Sequence, residues 1–342
     1  MRILVGISGG LDSTIAALKL MDEGHSVEGA VLIMHEYTDV SAAESAAASI
    51  GLPLHKIDAR ERFETVKANF ADQYALARTP NPCIICNPLV KFALLAEYAR
   101  ANGFDKIATG HYATVRKLDD GGNLRYALAR ACDLRKDQTY MLHRLPQYIL
   151  SMLVLPLEAS VKTEVREMAE NRGLAVATKK ESQEICFIPD GDYAKYVESV
   201  KGEFPEGDFV DDNGVVLGKH KGIIRYTVGQ RKGLGIATGQ RIFVSSIDPI
   251  SNRITLSNEG NLTDTVRVSD IVFSGMSEPI ANIERRVSVK LRYLAPPAPA
   301  VAIFDGCGGC TLKLDEPFKA VAPGQSAVLY DGDVVLAGGF ID

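Results

Sequence analysis

The chain opens with an apolar run, Arg2–Ile7, that passes into Gly6-Ile-Ser-Gly-Gly-Leu-Asp-Ser13 and from there straight into a helical pattern. A glycine-rich turn held between a strand and a helix leaves few folds open. The strand belongs inside a sheet, and the helix must return across one face of that sheet. The glycines let the backbone approach a ligand closely, and the helix N-terminus behind them presents unpaired N–H groups and a positive dipole end.

The next hundred residues repeat the same grammar. Ser13–Glu23 predicts a helix closed by Gly24, Val27–Met34 a second strand, Ser41–Ile50 an alanine-rich helix ended by Gly51, and Leu54–Asp58 a third strand. Arg60–Arg78 and Pro88–Asn102 predict longer helices, the second opening on its proline, and Lys106–Gly110 a further strand. Such alternation predicts an α/β domain, a parallel sheet with helices on both faces.

After about residue 200 the texture changes to short alternating strands between glycine-rich turns. In Val287-Ser-Val-Lys-Leu-Arg-Tyr293 the apolar side chains share one face, and Lys290 and Arg292 lie on the other. Asp331-Gly332 marks a last hairpin turn, and Ala295–Ala300 is a short proline-rich stretch. The expected domains are therefore 1–203, a small central β domain at 204–264, and a C-terminal β-barrel-like domain at 265–342.

Composition narrows the class. Hydrophobic residues make up 46% and charged residues 24% of the 342, the balance of a globular protein with sizeable cores. No run of ~18 apolar residues occurs, and the N-terminus reads as a strand rather than a signal peptide, so the expectation is a cytoplasmic protein without a membrane partner. The net charge of −5 argues against a protein that coats nucleic acid by bulk charge. One segment departs from that balance. Asn213–Ile247 holds no Asp or Glu but carries Lys219, Lys221, Arg225, Arg231, Lys232 and Arg241. It reads either as a solvated loop or as a surface for phosphates.

The first loop lacks the Gly-x-x-x-x-Gly-Lys-Ser/Thr pattern, so no lysine is aimed at a γ-phosphate. Ser8-Gly-Gly-Leu-Asp-Ser13 resembles instead the pyrophosphatase loop of enzymes that split ATP between its α and β phosphates and leave AMP on a substrate oxygen. Asp12 is the candidate ligand for a Mg²⁺ ion near the pyrophosphate. The six cysteines are too few for a disulfide scaffold in a chain this long. Thr79-Pro-Asn-Pro-Cys-Ile-Ile-Cys-Asn87 places Cys83 and Cys86 in a rigid loop, and Lys179-Lys-Glu-Ser-Gln-Glu-Ile-Cys-Phe187 adds Cys186. Buried, inert thiols are the plain reading; sulfur or metal chemistry is the sharper one. Cys132 reads as structural, and Cys307-Gly-Gly-Cys310 as a turn, although its spacing also suits half of a zinc site.

Seven segments in order carry a more specific signal: the two loops just quoted, Ala108-Thr-Gly-His-Tyr112, Lys136-Asp-Gln-Thr-Tyr140, Ile185-Cys-Phe-Ile188, Tyr226-Thr-Val-Gly-Gln-Arg-Lys-Gly-Leu-Gly-Ile236 and Pro323-Gly-Gln-Ser-Ala-Val328. From end to end this series resembles the bacterial tRNA-specific 2-thiouridylase family, whose members make 2-thiouridine at the wobble position of the Lys, Glu and Gln anticodons. The resemblance implies a PP-loop ATP pyrophosphatase fold, related to adenine nucleotide hydrolases. It implies that Gly6, Ile7, Ser8, Gly9, Gly10, Leu11, Asp12 and Ser13 hold ATP, with Met34 and Gly110 near the adenosine. It implies that Cys186 carries a persulfide and Cys86 is its partner nucleophile. Asn81, Pro82 and Cys83 would lie beside the target base, and His111, Lys136, Asp137, Gln138, Arg292, Tyr293 and Gln325 would contact tRNA. A sulfur donor or relay protein is the implied further partner.

One position departs from the family pattern: many members have aspartate where this chain has Cys83. Cys83, Cys86 and Cys186 would supply three ligands of a [4Fe–4S] cluster and leave one iron open for a sulfide. The persulfide and cluster routes therefore stand side by side, as does a third in which Cys86 releases hydrosulfide. Lys179 and Lys180 are the expected basic neighbours that lower a thiol pKa. Two rivals keep fewer of these features: an adenylating ligase for another acceptor leaves the cysteines unexplained, and an inert RNA-binding module leaves the intact ATP loop unexplained.

Overall fold

The computed structural model describes residues 1–179, 185–237, 239–260 and 262–342. Lys180, and with it the expectation of its effect on a thiol, lies outside the described residues, as do positions 181–184, 238 and 261.

Five parallel strands form the first sheet: β1 (Arg2–Gly6), β2 (Ser26–Ile33), β3 (Leu54–Asp58), β4 (Lys106–Ala108) and, after the hairpin β5 (Thr114–Asp120) and β6 (Asn123–Ala129), β7 (Leu153–Val154). Their order is β3-β2-β1-β4-β7, so the chain reverses direction of travel beside β1. In such sheets ligands bind beyond the carboxyl ends of the strands at this reversal. Ile3, Leu4 and Val5 are fully buried, as expected of a strand covered on both faces. Helices α1 (Leu11–Asp22), α2 (Val40–Ser49) and α3 (Arg60–Ala75) fall close to their predicted spans.

The next helix corrects the expectation. It opens at Pro82, six residues ahead of the predicted start at Pro88, because the Asn81 side chain accepts a hydrogen bond from the Cys83 N–H and Pro82 fits the first helical turn. Pro88 falls inside the helical run. It has no N–H to donate, and the backbone accommodates it with a π-turn, Asn87–Lys91, between α4 (Pro82–Cys86) and α5 (Phe92–Ala101). The run Pro82–Ala101 is long and apolar enough to cross a membrane by composition alone, but half of it is buried inside the protein, as in a core helix.

The central β domain contains β8 (Gly207–Val210), β9 (Val216–His220), β10 (Phe243–Asp248) and β11 (Arg253–Ser257), in the order β10-β11-β8-β9. Beyond it β12 (Leu262–Phe273), β13 (Glu284–Lys290), β14 (Ala298–Phe304), β15 (Cys310–Lys319), β16 (Ser326–Asp331) and β17 (Val334–Ile341) follow in order. These six strands close into a barrel because β12 pairs with both β15 and β17. β12 begins before the expected boundary at 264/265 and runs through it as one strand. The hairpin β5–β6, which the sequence reading did not pick out, leaves the first domain and joins the barrel through a Val334–Ala129 pairing.

Candidate functional site

The loop Gly6–Ser13 is shaped by what packs on it. Gly9 has φ +71°, and a Cβ there would lie 2.6 Å from the backbone of Ala42 at the start of α2. A Cβ on Gly110, just past β4, would lie 2.5 Å from the carbonyl carbon of Asp12. Both positions require glycine. Ser8 and Ser13 close the turn: the Ser8 N–H donates to Ser13 Oγ at 3.2 Å, and Ser13 Oγ donates to the Gly10 carbonyl at 3.1 Å. Gly10 caps α1 without any side-chain bond, which leaves the first N–H groups of Leu11–Ser13 to an anion.

Two lysines converge on this loop from later in the chain. Lys179 Nζ donates to the Gly9 carbonyl at 3.1 Å. That contact corrects the expectation that it serves the cysteines. Lys162 Nζ lies 2.7 Å from both carboxylate oxygens of Asp12, and the Tyr112 hydroxyl donates to Asp12 Oδ1 at 2.9 Å. Asp12 is thus already matched by a cation that the sequence reading missed.

The sulfur site lies at the same edge of the sheet. Met34, at the end of β2, places its sulfur 4.0 Å from Cys86 Sγ, so it touches the cysteine that the resemblance pairs with Cys186. Cys86 is buried, whereas Cys83 and Cys186 are exposed. Cys186 is fixed by its neighbour Phe187, buried between Phe63 and Phe70 at ring distances of 5.6 and 5.4 Å. Burial pushes the Cys86 thiol up to about 12, with Lys91 pulling the other way, and burial raises Cys186 as well. At rest the Cys86 thiol is therefore protonated. Lys91, unmarked in the sequence reading, is the cation that acts on Cys86, Cys83 and Cys186 together. Among the described residues, no group of three or more Cys, His, Asp or Glu side chains stands in metal-holding geometry.

Around the sulfur site the remaining candidates divide into lining and bracing residues. Asn81 caps α4 and donates from Nδ2 to Met141 Sδ at 3.2 Å. His111 is half-buried, with Nδ1 2.8 Å from Thr109 Oγ1 and its ring 5.5 Å from Phe92. Desolvation, with the charge of Lys91, lowers it to about 3, which keeps the ring neutral. Asp137 is buried and accepts from Thr139 Oγ1 at 2.7 Å, and Gln138 Oε1 accepts from the Tyr112 N–H at 2.9 Å. These two side chains are turned inward, while Lys136 beside them is half-exposed. Gln325 donates from Nε2 to the Thr79 carbonyl at 2.6 Å, and the Thr79 N–H donates to the Pro323 carbonyl at 2.8 Å, which docks the cysteine loop on the barrel. The Arg292 guanidinium donates to the Ala320 carbonyl, and Tyr293 lies 6.0 Å from Tyr140.

The acid-free segment is less uniformly basic than its sequence. Lys219 pairs with Asp208 at 2.6 Å and Arg225 with Glu198 at 2.7 Å, both acids from outside the segment. Lys221, Arg231, Lys232 and Arg241 are exposed, and among the described residues none pairs with a carboxylate.

Three family models match the chain almost end to end. They are described as a tRNA methyl transferase HUP domain over residues 1–190, a tRNA methyl transferase PRC-barrel domain over 194–258, and an aminomethyltransferase beta-barrel domain over 263–341. The chain is 42% identical to the tRNA-specific 2-thiouridylase MnmA of Clostridioides difficile, covering 100% of this chain and 98% of that one. It is 40% identical to the protein of the same name from Acetivibrio thermocellus, covering 99% of each. The Treponema denticola counterpart is likewise 40% identical over 100% of this chain and 98% of its own. A glycine-rich loop opening a helix, two cysteine-bearing segments and a barrel docked against them thus occur in a chain that aligns with these relatives over its whole length, and it belongs to the tRNA-specific 2-thiouridylase family.

Proposed function

We propose that this protein uses ATP to replace the C2 oxygen of the wobble uridine of tRNA with sulfur. The observation that carries the reading is convergence: the loop Gly6–Ser13, Gly110, Met34 and Cys86 meet at one edge of the parallel sheet. A uracil oxygen is a poor leaving group, and linking it to AMP makes it a good one. The C2 oxygen attacks the α-phosphate, an O–P bond forms, and the bond to pyrophosphate breaks. The N–H groups of the loop and of α1 hold the phosphates while this happens. Mg²⁺ would supply charge neutralisation at the phosphates, with Asp12, now paired with Lys162, as the carboxylate that would hold it.

The sulfur step follows at Cys186, loaded as a persulfide by an external persulfide donor. Its terminal sulfur attacks C2, a C–S bond forms, and AMP leaves with the C–O bond pair. Cys86, after losing its proton, attacks the Cys186 sulfur. The bond between the two sulfurs breaks toward the base, leaving the thiocarbonyl and a Cys86–Cys186 disulfide for a dithiol reductant. No step is routed through a cluster. Wobble bases lie in a single-stranded loop, so bringing one to the site costs only a few kcal/mol. The tRNAs read by Lys, Glu and Gln anticodons are the proposed substrates, a persulfide-relay protein the proposed partner, and the cytoplasm the proposed location.

The test is anaerobic incubation of the protein with ATP, a persulfide donor and tRNA bearing an unmodified wobble uridine. One AMP and one pyrophosphate per 2-thiouridine are expected, with no 2-thiouridine formed by Cys186→Ser. Thiolation that survives Cys186→Ser, in an iron-containing protein, would replace the persulfide route by the cluster route.

A further inference from the structure

We infer that Lys91 is the fixed counter-cation of the sulfur-transfer step, holding negative charge on sulfur as it passes between Cys186, the base and Cys86. This rests on the function proposed above and adds a residue to it. The argument starts from the backbone. The π-turn Asn87–Lys91 inserts one extra residue into the helix, and its closing bond runs from the Phe92 N–H to the Asn87 carbonyl. In the same turn the Lys91 backbone N–H comes within hydrogen-bonding reach of the Cys86 sulfur, which sets the root of the lysine side chain beside that thiol. In an unbroken α-helix, residues five apart would point about 140° away from each other.

The surroundings of Lys91 agree with that placement. It is half-exposed, and among the described residues no carboxylate pairs with it and no hydrogen bond engages its ammonium. Its titratable neighbours are the three thiols Cys86, Cys83 and Cys186, and its charge also reaches His111. An ammonium left without an acid in a partly desolvated site is costly unless an anion arrives during function. Sulfur transfer generates that anion twice, on the attacking persulfide and on the attacking Cys86. Pi-turns recur at functional sites, and here the turn also solves the problem of Pro88.

The test separates the two chemical steps in Lys91→Gln and Lys91→Arg, with protein loaded at Cys186 by a persulfide donor. Single-turnover transfer to tRNA should fall about 100-fold in Lys91→Gln while pyrophosphate release stays within about threefold, and Lys91→Arg should recover transfer to within about tenfold of the parent. Equal loss in both steps, or no loss in transfer, would overturn the assignment. Lys91→Met keeps the apolar stem and carries the same comparison if the glutamine variant does not fold. Should neither fold, the residue serves the fold and the inference fails. A parent protein that makes no 2-thiouridine would overturn the proposed function instead, a result distinct from any of these.

Discussion

Gln325 and Thr79 are joined by a 2.6 Å hydrogen bond across 246 residues of sequence, from the barrel to the loop that leads into Cys83 and Cys86. The bond holds the sulfur loop in place from outside its own domain. Gln325→Ala removes the donor and leaves the Thr79 carbonyl to water, a loss of about 1 kcal/mol. Thiolation turnover should therefore drop several-fold with ATP affinity unchanged. Steady-state kinetics with tRNA varied would check it; a fall in ATP affinity instead would place the effect at the wrong loop.

Gly110→Ala should act on the nucleotide. Its methyl would meet the backbone of Asp12 and Ser13, at 2.5 and 2.6 Å, and neither is a flexible side-chain end. The loop must move, at a cost of about 1–3 kcal/mol. ATP affinity measured by calorimetry should fall at least about tenfold, with thiol alkylation of the exposed cysteines unchanged.

His143 ties stability to pH. It is fully buried against Gly338, its Nδ1 is 2.9 Å from the Tyr140 carbonyl, and its Nε2 has no partner. Burial lowers it to about 3, far below its unfolded value. A depressed histidine stays neutral in the folded state, so the unfolded chain gains protons first as pH falls. Stability should be full above about 6.5 and decline below it, by about 2 kcal/mol at pH 5 from this residue. Urea midpoints at pH 7 and pH 5 would show the drop, and His143→Gln should reduce it; an equal drop in the variant would clear His143.

Arg231 and Lys232 are the exposed cations expected to grip tRNA phosphates, whereas Lys219 and Arg225 already have acid partners. Removing either exposed charge should weaken tRNA binding and flatten its salt dependence by about one unit of log–log slope. Lys219→Ala should leave that slope unchanged. A filter-binding series over salt concentration distinguishes the two pairs.

The parallel sheet was legible because its strands are buried on both faces and so read as apolar runs ended by glycine. The helix at Pro82 was misplaced for a local reason: Pro88 mimics a helix start, and only the Asn81 cap and the π-turn reveal that it sits inside. Asn81 followed by Pro82 was the available signal. The hairpin β5–β6 was equally readable, from Asp120-Gly121-Gly122 between alternating runs, but its partner strand lies two hundred residues away. The cysteines were found by their spacing and order. Lys91 and Lys162 were not, since nothing in a single lysine's neighbours along the chain says that folding will bring it to a sulfur or to Asp12. The inward turn of Asp137 and Gln138 was hidden for the same reason.

The hairpin β5–β6 belongs by sequence to the ATP-binding half and by hydrogen bonding to the barrel's sheet. The barrel is therefore no interchangeable cartridge. Transplanting it onto another nucleotide-binding half would leave Val334, at the start of β17, without its Ala129 partner, and grafting in reverse would leave a two-stranded ribbon jutting into water. Inheritance of the two halves should be joint, and a chimera between relatives should fold only when its crossover carries residues 114–129 along with the barrel.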